Sequence, residues 1–349
     1  MLYGIAAATT ALLLAAVLTA ALRVPALRLG AVDRRRQRPV PLFGGVAVVL
    51  AACLVAGAGN WTGVAPLGDM GRLLVAGAGV ALLGLIADLR RVKARFVLGG
   101  TAVAAACVVP YEETGLPAGL LAVGWIVFVA AGFKALDHAD ALAGTVGVIT
   151  AFGVGACAAA EMLDGLAVLL SVLAAALTGF LMHNWHPARI ALGACGSLFV
   201  GFVLASAAVF TRSGYELGPS VGVLFALTAV GSADVVLVLL SRRLAGRPAL
   251  RSGPDHLAHR LRRLGLTPQG TTVLLGVGSF SGVLVGVLEH LGWVAESGAF
   301  WVAAGALVLV LGLLRIKVYG VRRQSVHPPR SAPSTASVQV SGHLRVRSG

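Results

Sequence analysis

Charge is what this sequence has least of. Only 12% of its 349 residues are Asp, Glu, Lys or Arg, against about a quarter in soluble domains. Aromatic side chains make up 6% and acidic ones number 14. So few charges exclude a disordered chain, and with long apolar runs in place of heptads they exclude a coiled coil. There are four cysteines, Cys53, Cys107, Cys157 and Cys195. They lie far apart and mostly inside apolar runs, so they read as small buried hydrophobes rather than as a disulfide framework or a zinc cluster.

What is abundant is apolar length. Hydrophobic residues make up 58% and the mean hydropathy is +0.89, which points to an all-α polytopic membrane protein in place of two soluble domains. The first run, Leu2 to Leu22, has no charged segment before it and is long enough to span, so it reads as a retained helix. Further runs recur near Gly44–Gly59, Leu73–Asp88, Val97–Val109, Gly119–Phe133, Ala141–Ala160, Leu166–Met182, Gly196–Thr211, Ser220–Ser241, Gly270–Leu288 and Gly298–Leu314. The expectation is a bundle of about 10–11 transmembrane helices over residues 1–318, in the plasma membrane of a bacterial-type cell. Residues 319–349, rich in Ser, Pro and Arg, are expected to form a disordered basic cytoplasmic tail.

Orientation follows from the cations. Arg34, Arg35, Arg36 and Arg38, then Arg90, Arg91, Lys93 and Arg95, then Lys134, Arg189 and the segment Arg242 to Arg263 fall on one side when the spans alternate. That side is expected to be cytoplasmic, with the N-terminus outside and the C-terminus inside. The net charge of +14 is read as this topology signal plus attraction to anionic membrane lipid, and not as nucleic-acid binding.

Polar residues concentrate in five of the basic connections. Gly30 to Gly45 joins an Arg run to Pro39, Pro41 and Gly44-Gly45, and is either a topology-setting loop or part of a site. Asp88 ends the third run beside cations. Asp137 and Asp140, three apart, share a helical face with Lys134 one turn back. Such a pair either holds magnesium or accepts a proton, or else satisfies the lysine. Asn184 to Ser197 contains Pro187, Gly193 and Gly196, an ordinary turn or a helix start whose free N–H groups receive phosphate. In the longest loop His256, His259 and Arg260 suit a pyrophosphate, or are solvated surface. Asp234 lies inside the ninth run, eight residues before Arg242, or about 12 Å at helical rise. A carboxylate so placed calls for a partner and is by default a functional candidate.

In order and spacing these segments resemble the polyprenyl-phosphate N-acetylhexosamine-1-phosphate transferases, which include the phospho-N-acetylmuramoyl-pentapeptide transferase. Asp137-His138-Ala139-Asp140-Ala141-Leu142-Ala143-Gly144 is similar to the family's DGxDGLAG, Asn184 to Ser197 to its NxxPAxIxxGDxGS, and Gly253 to Leu261 to its GGxDHxxHRL. Gly30 to Gly45 resembles a shortened GxVDxP…RPxPxxGG loop, and Asp234 an intramembrane Asp of the family's ninth helix. The resemblance implies transfer of sugar 1-phosphate from a UDP-linked amino sugar to polyprenyl phosphate, with release of UMP and use of Mg2+. It implies Asp88, Asp137 and Asp140 as catalytic residues and metal ligands, Lys134, His256, His259 and Arg260 on diphosphate or uridine, and Asn184 lining the pocket. A homo-oligomer is compatible with it.

The chain also departs from the pattern. A paired DD reads Ala87-Asp88, the Asp of GDxGS is Ala194, an Asn before DGxDG is Lys134, and the glycines of DGxDG are His138 and Ala141. Two lost carboxylates and one gained ammonium make the site three units more positive. Two readings therefore stand beside the transferase: a homologue that binds lipid phosphate or nucleotide sugar, or partners another membrane enzyme, without turnover, and, from another class, a transporter. A transporter predicts polar groups spread through the depth of the bundle.

Overall fold

The computed structural model describes residues 2–33, 39–63, 70–90, 92–248, 253–316 and 318. The tail from Tyr319 lies outside the described residues, and so do Arg34 to Arg38 and Arg91. The helices are α1 (Leu2–Arg28), α2 (Gly44–Trp61), α3 (Met70–Leu89), α4 (Ala94–Val108), α5 (Tyr111–Leu136), α6 (Leu142–Ala160) and α7 (Asp164–Asn184). They continue as α8 (Gly193–Phe210), α9 (Leu217–Leu227), α10 (Ala229–Leu244), α11 (Leu257–Arg263), α12 (Pro268–His290) and α13 (Ser297–Leu314). A two-residue antiparallel pair, β1 (Val32–Asp33) and β2 (Val40–Pro41), closes the α1–α2 connection.

Among the described residues nine helices are long and apolar enough to cross a membrane. The protein is a multi-pass membrane protein. All eleven apolar runs are helical, but two differ from a plain span. The run at Val97–Val109 is the short α4, of 15 residues, or about 22 Å at helical rise. The run at Ser220–Ser241 breaks at Thr228, where α10 turns 87° away from α9. Cys107 on α4 is exposed, unlike the buried Cys157 and Cys195.

α8 is the axis of the bundle. It packs against α2, α3, α5 and α6, and every residue except Phe210 is buried. By contrast only 22% of the apolar window of α1 is covered, as befits a helix whose outer face meets lipid chains.

Polar groups gather at the two ends of the bundle. At one end Glu161 accepts from the Tyr215 hydroxyl at 2.5 Å and lies 3.2 Å from His290 Nε2, while the Arg212 guanidinium stands 4.0 Å over the Tyr215 ring. This network ties three connections together. The opposite, basic end carries Asp88, Lys134, Asp137, Asp140, Asn184, Arg242 and the α11 segment.

Candidate active site

The connections of the basic end interlock through their backbones. Gly44 N and Gly45 N donate to Ala191 O and Leu192 O at 3.0 and 2.8 Å, and Ala191 N returns a bond to Pro41 O at 2.7 Å. At Gly45 an added Cβ would strike the backbone of Gly196. α2 and α8 therefore meet backbone to backbone, which a side chain at either position would prevent.

The first turn of α8 is stitched to two acidic residues. Gly193 N donates to Asp137 Oδ2 at 2.8 Å, Ala194 N to Asp88 Oδ1 at 2.9 Å and Cys195 N to Asp88 Oδ2 at 3.0 Å. A helix start leaves its first amides without intrahelical partners and favours negative charge beside them. Two carboxylates from α3 and the α5–α6 turn supply both. Of the two readings of this segment, an ordinary turn or a phosphate-receiving helix start, the bonds favour the first, because acidic side chains of the chain itself occupy these N–H groups.

Asp140 is held from the α7–α8 connection. Its Oδ2 accepts from Ala188 N at 3.1 Å and lies 2.8 Å from His186 Nδ1, while its backbone carbonyl accepts from Thr272 Oγ1 of α12 at 3.0 Å. Asn184, buried at the end of α7, bridges two segments: its Oδ1 accepts from Ala141 N at 2.9 Å and its Nδ2 donates to Ile190 O at 2.7 Å. Ala141 has φ 60° and is buried, a left-handed conformation that favours the glycine of the resembled pattern.

Asp234, read from sequence as an intramembrane carboxylate that calls for a partner, finds its partners in the longest loop. The turn at Thr228 lets α10 run to the base of that loop, where Asp234 Oδ1 accepts from Leu257 N at 2.7 Å and Oδ2 lies 2.8 Å from His256 Nδ1. The His256 ring stacks on His138 at 4.2 Å between centroids, and His259 lies 4.6 Å from His138. Burial, reinforced by His256, keeps the His138 imidazole neutral, with its pKa well below the usual value. Burial and the charges of His256 and Arg262 lower His259 to about 4. Among the described residues, one ligand atom each from His138, Asp234 and His256 lies within 4.8 Å of the others. Asp88, Asp137 and Asp140 form no such group of three.

Arg260 serves the scaffold. Its buried guanidinium donates to Asp255 O at 3.0 Å, Leu313 O at 2.6 Å, Ile316 O at 2.8 Å and Ser241 Oγ. Asp255 also takes Arg242 Nε at 2.9 Å. This knot ties α10, α11 and the end of α13. Lys134, exposed at the end of α5, lies within electrostatic reach of Asp88.

Residues 70–212 match the glycosyl transferase family 4 profile, a stretch that holds Asp88, Asp137, Asp140 and Asn184. A Streptomyces coelicolor protein named only as a candidate glycosyltransferase is 66% identical over 93% of the chain and 80% of its own length. The chain belongs to glycosyl transferase family 4. Other relatives in the family carry explicit names. The decaprenyl-phosphate N-acetylglucosaminephosphotransferase of Mycobacterium tuberculosis is 30% identical over 71% of the chain and 72% of its own. The phospho-N-acetylmuramoyl-pentapeptide-transferase of Moorella thermoacetica is 32% identical over 60% and 62%. In this family-4 chain, reasoning from sequence missed three residues: His138, His186 and Thr272. A histidine standing where the pattern has glycine was the signal for the first; the other two become visible only through their bonds to Asp140.

Proposed function

We propose that the chain transfers a sugar 1-phosphate from a UDP-linked amino sugar to polyprenyl phosphate at the basic end of the bundle, which faces the cytoplasm. An oxygen of the lipid phosphate attacks the β-phosphorus; the bond from that phosphorus to the bridging oxygen breaks, and UMP leaves with the oxygen. The observation that carries this reading is the meeting of Asp137, Asp140, Lys134, His256 and His259 at one end of the bundle, in a chain whose named relatives are lipid-phosphate transferases.

The structure supports a division of labour among the candidate residues. Lys134 places an ammonium for phosphate oxygens, and His256 and His259 offer ring nitrogens to the diphosphate. Asn184, Arg260 and Asp234 act as positioning residues, since their polar atoms hold backbone and neighbouring side chains. Asp88 already accepts the amides of Ala194 and Cys195, one on each oxygen, so its first task is to cap α8. Mg2+, which takes one or two carboxylates and is completed by phosphate oxygens, would be held by Asp137 and Asp140, which face the α7–α8 connection from the same turn. Bound there, it would neutralise pyrophosphate charge.

A second reading, binding without turnover, is favoured by one observation: Asp88 and Asp137 are engaged in capping α8, where the resembled pattern has a further Asp in place of Ala194. Purified protein incubated with Mg2+, polyprenyl phosphate and a panel of UDP-amino sugars decides between them. Release of UMP is expected; no UMP from any donor, with nucleotide sugar still bound, establishes the second reading.

A further inference from the structure

We propose that His138, Asp234 and His256 form a binding site for a borderline transition-metal ion of the Zn2+ class. It lies on the α5–α6 turn, α10 and the start of α11, and differs in donor chemistry from the carboxylates assigned to magnesium.

The tautomers can be read from the partners. His138 Nδ1 lies 2.6 Å from Ala135 O, and a carbonyl only accepts, so Nδ1 carries the proton and Nε2 the lone pair. That Nε2 is buried and has no hydrogen-bond partner. A buried imidazole nitrogen without a partner is uncommon and calls for an explanation. His256 Nδ1 faces Asp234 Oδ2 at 2.8 Å, while the other oxygen of Asp234 is fixed by Leu257 N at 2.7 Å. The rings of His138 and His256 stack with 22° between their planes, which places a second imidazole beside the first.

Fixing one ring nitrogen by a backbone carbonyl or a carboxylate, so that the rest of the group is aimed at a cation, is how metal-ligating histidines are oriented. One ligand atom each from His138, Asp234 and His256 lies within 4.8 Å of the others; to reach the ~3.4 Å between ligand atoms that tetrahedral zinc requires at its usual bond lengths, the wider separations close and the 2.8 Å contact of His256 with Asp234 opens. Imidazole suits zinc, copper or nickel, whereas magnesium prefers oxygen. Three protein ligands leave the fourth position open. His259, 4.6 Å from His138, or a phosphate oxygen can complete it. A role toward phosphate rests on the transferase reading, but the existence of the site does not, since its occupancy is measured without substrate.

The test uses the full chain, purified without a polyhistidine tag, stripped with chelator and titrated with Co2+ and Zn2+. The expected result is one equivalent of Co2+ giving the visible absorption of a tetrahedral centre, displaced by Zn2+ but not by excess Mg2+. His138→Ala should lose that absorption while eluting as the folded protein. His138→Gln, which keeps a polar side chain, should lose it as well, so a misfolded first variant does not end the test. A wild-type chain that takes up no Co2+, or a folded His138 variant that binds it unchanged, overturns the proposal. UMP release assayed separately keeps failure of the transferase reading distinct from failure of this site.

Discussion

The first turn of α8 and the histidine cluster stand at the same end of the bundle and draw on the same α5–α6 turn, yet they treat polar atoms differently. At α8 three successive amides meet two carboxylates. In the cluster His138 Nε2 meets nothing. Satisfied donors and acceptors stabilise a scaffold, while a buried unsatisfied atom is tolerated where something else will occupy it. Asp137 and His138, neighbours in sequence, thus fall on opposite sides of that divide.

Changes at α8 should move the comparison most. Replacing Ala87→Asp, Lys134→Asn and Ala194→Asp together adds acidic groups at the capped turn; UMP turnover is expected to rise about 100-fold, the size of effect that one electrostatic group contributes. Unchanged turnover would mean that the capped turn is scaffold only. Next in size, Asp88→Ala should lower the unfolding midpoint in detergent, at about 1–3 kcal/mol for each of the two amides it orphans. Asp88→Asn should recover part of the loss, because its amide oxygen still accepts. Smaller again, Ala141→Gly should raise the midpoint by up to about 1 kcal/mol, by relieving a left-handed alanine; a drop would show that Asn184 does not hold Ala141 in that conformation.

The smallest effect is with pH. His259 titrates at about 4 when folded, against 6.5 for the ordinary group, so the unfolded chain binds more protons between those values. The stability this neutral histidine contributes is complete above 6.5 and falls as pH drops toward 4. Solvent around the partly exposed ring moderates the slope. His259→Gln should flatten the midpoint-against-pH curve in that window; an unaltered curve would remove His259 from the buried cluster.

Hydropathy alone located all eleven apolar runs that are helical, because lipid leaves few alternatives to a helix for an apolar run. The break at Thr228 was illegible: no proline or adjacent glycine marks it, and the run from Ser220 to Ser241 reads as continuous. The sequence reading called for a partner for Asp234 without naming one, and the partners, His256 and Leu257, come from the loop. Convergence of the basic connections could be anticipated from charge sidedness and motif order. Which acid does which task could not, since Asp88, Asp137 and Asp140 look alike in sequence and differ only in the amides they face. Arg260 misled for a related reason: basic type suggests an anion, but its guanidinium went to carbonyls of a helix end more than fifty residues away.

The burial of α8 has a consequence for how the protein rides in the bilayer. Thicker or thinner membranes tilt and shift the helices that touch them. A helix enclosed by protein on every side senses such changes only through its neighbours, so the height of its first turn and of the two acids that hold that turn is set by packing rather than by lipid composition. Peripheral helices such as α1 and α13 can lean to match a new thickness while the central post keeps its level.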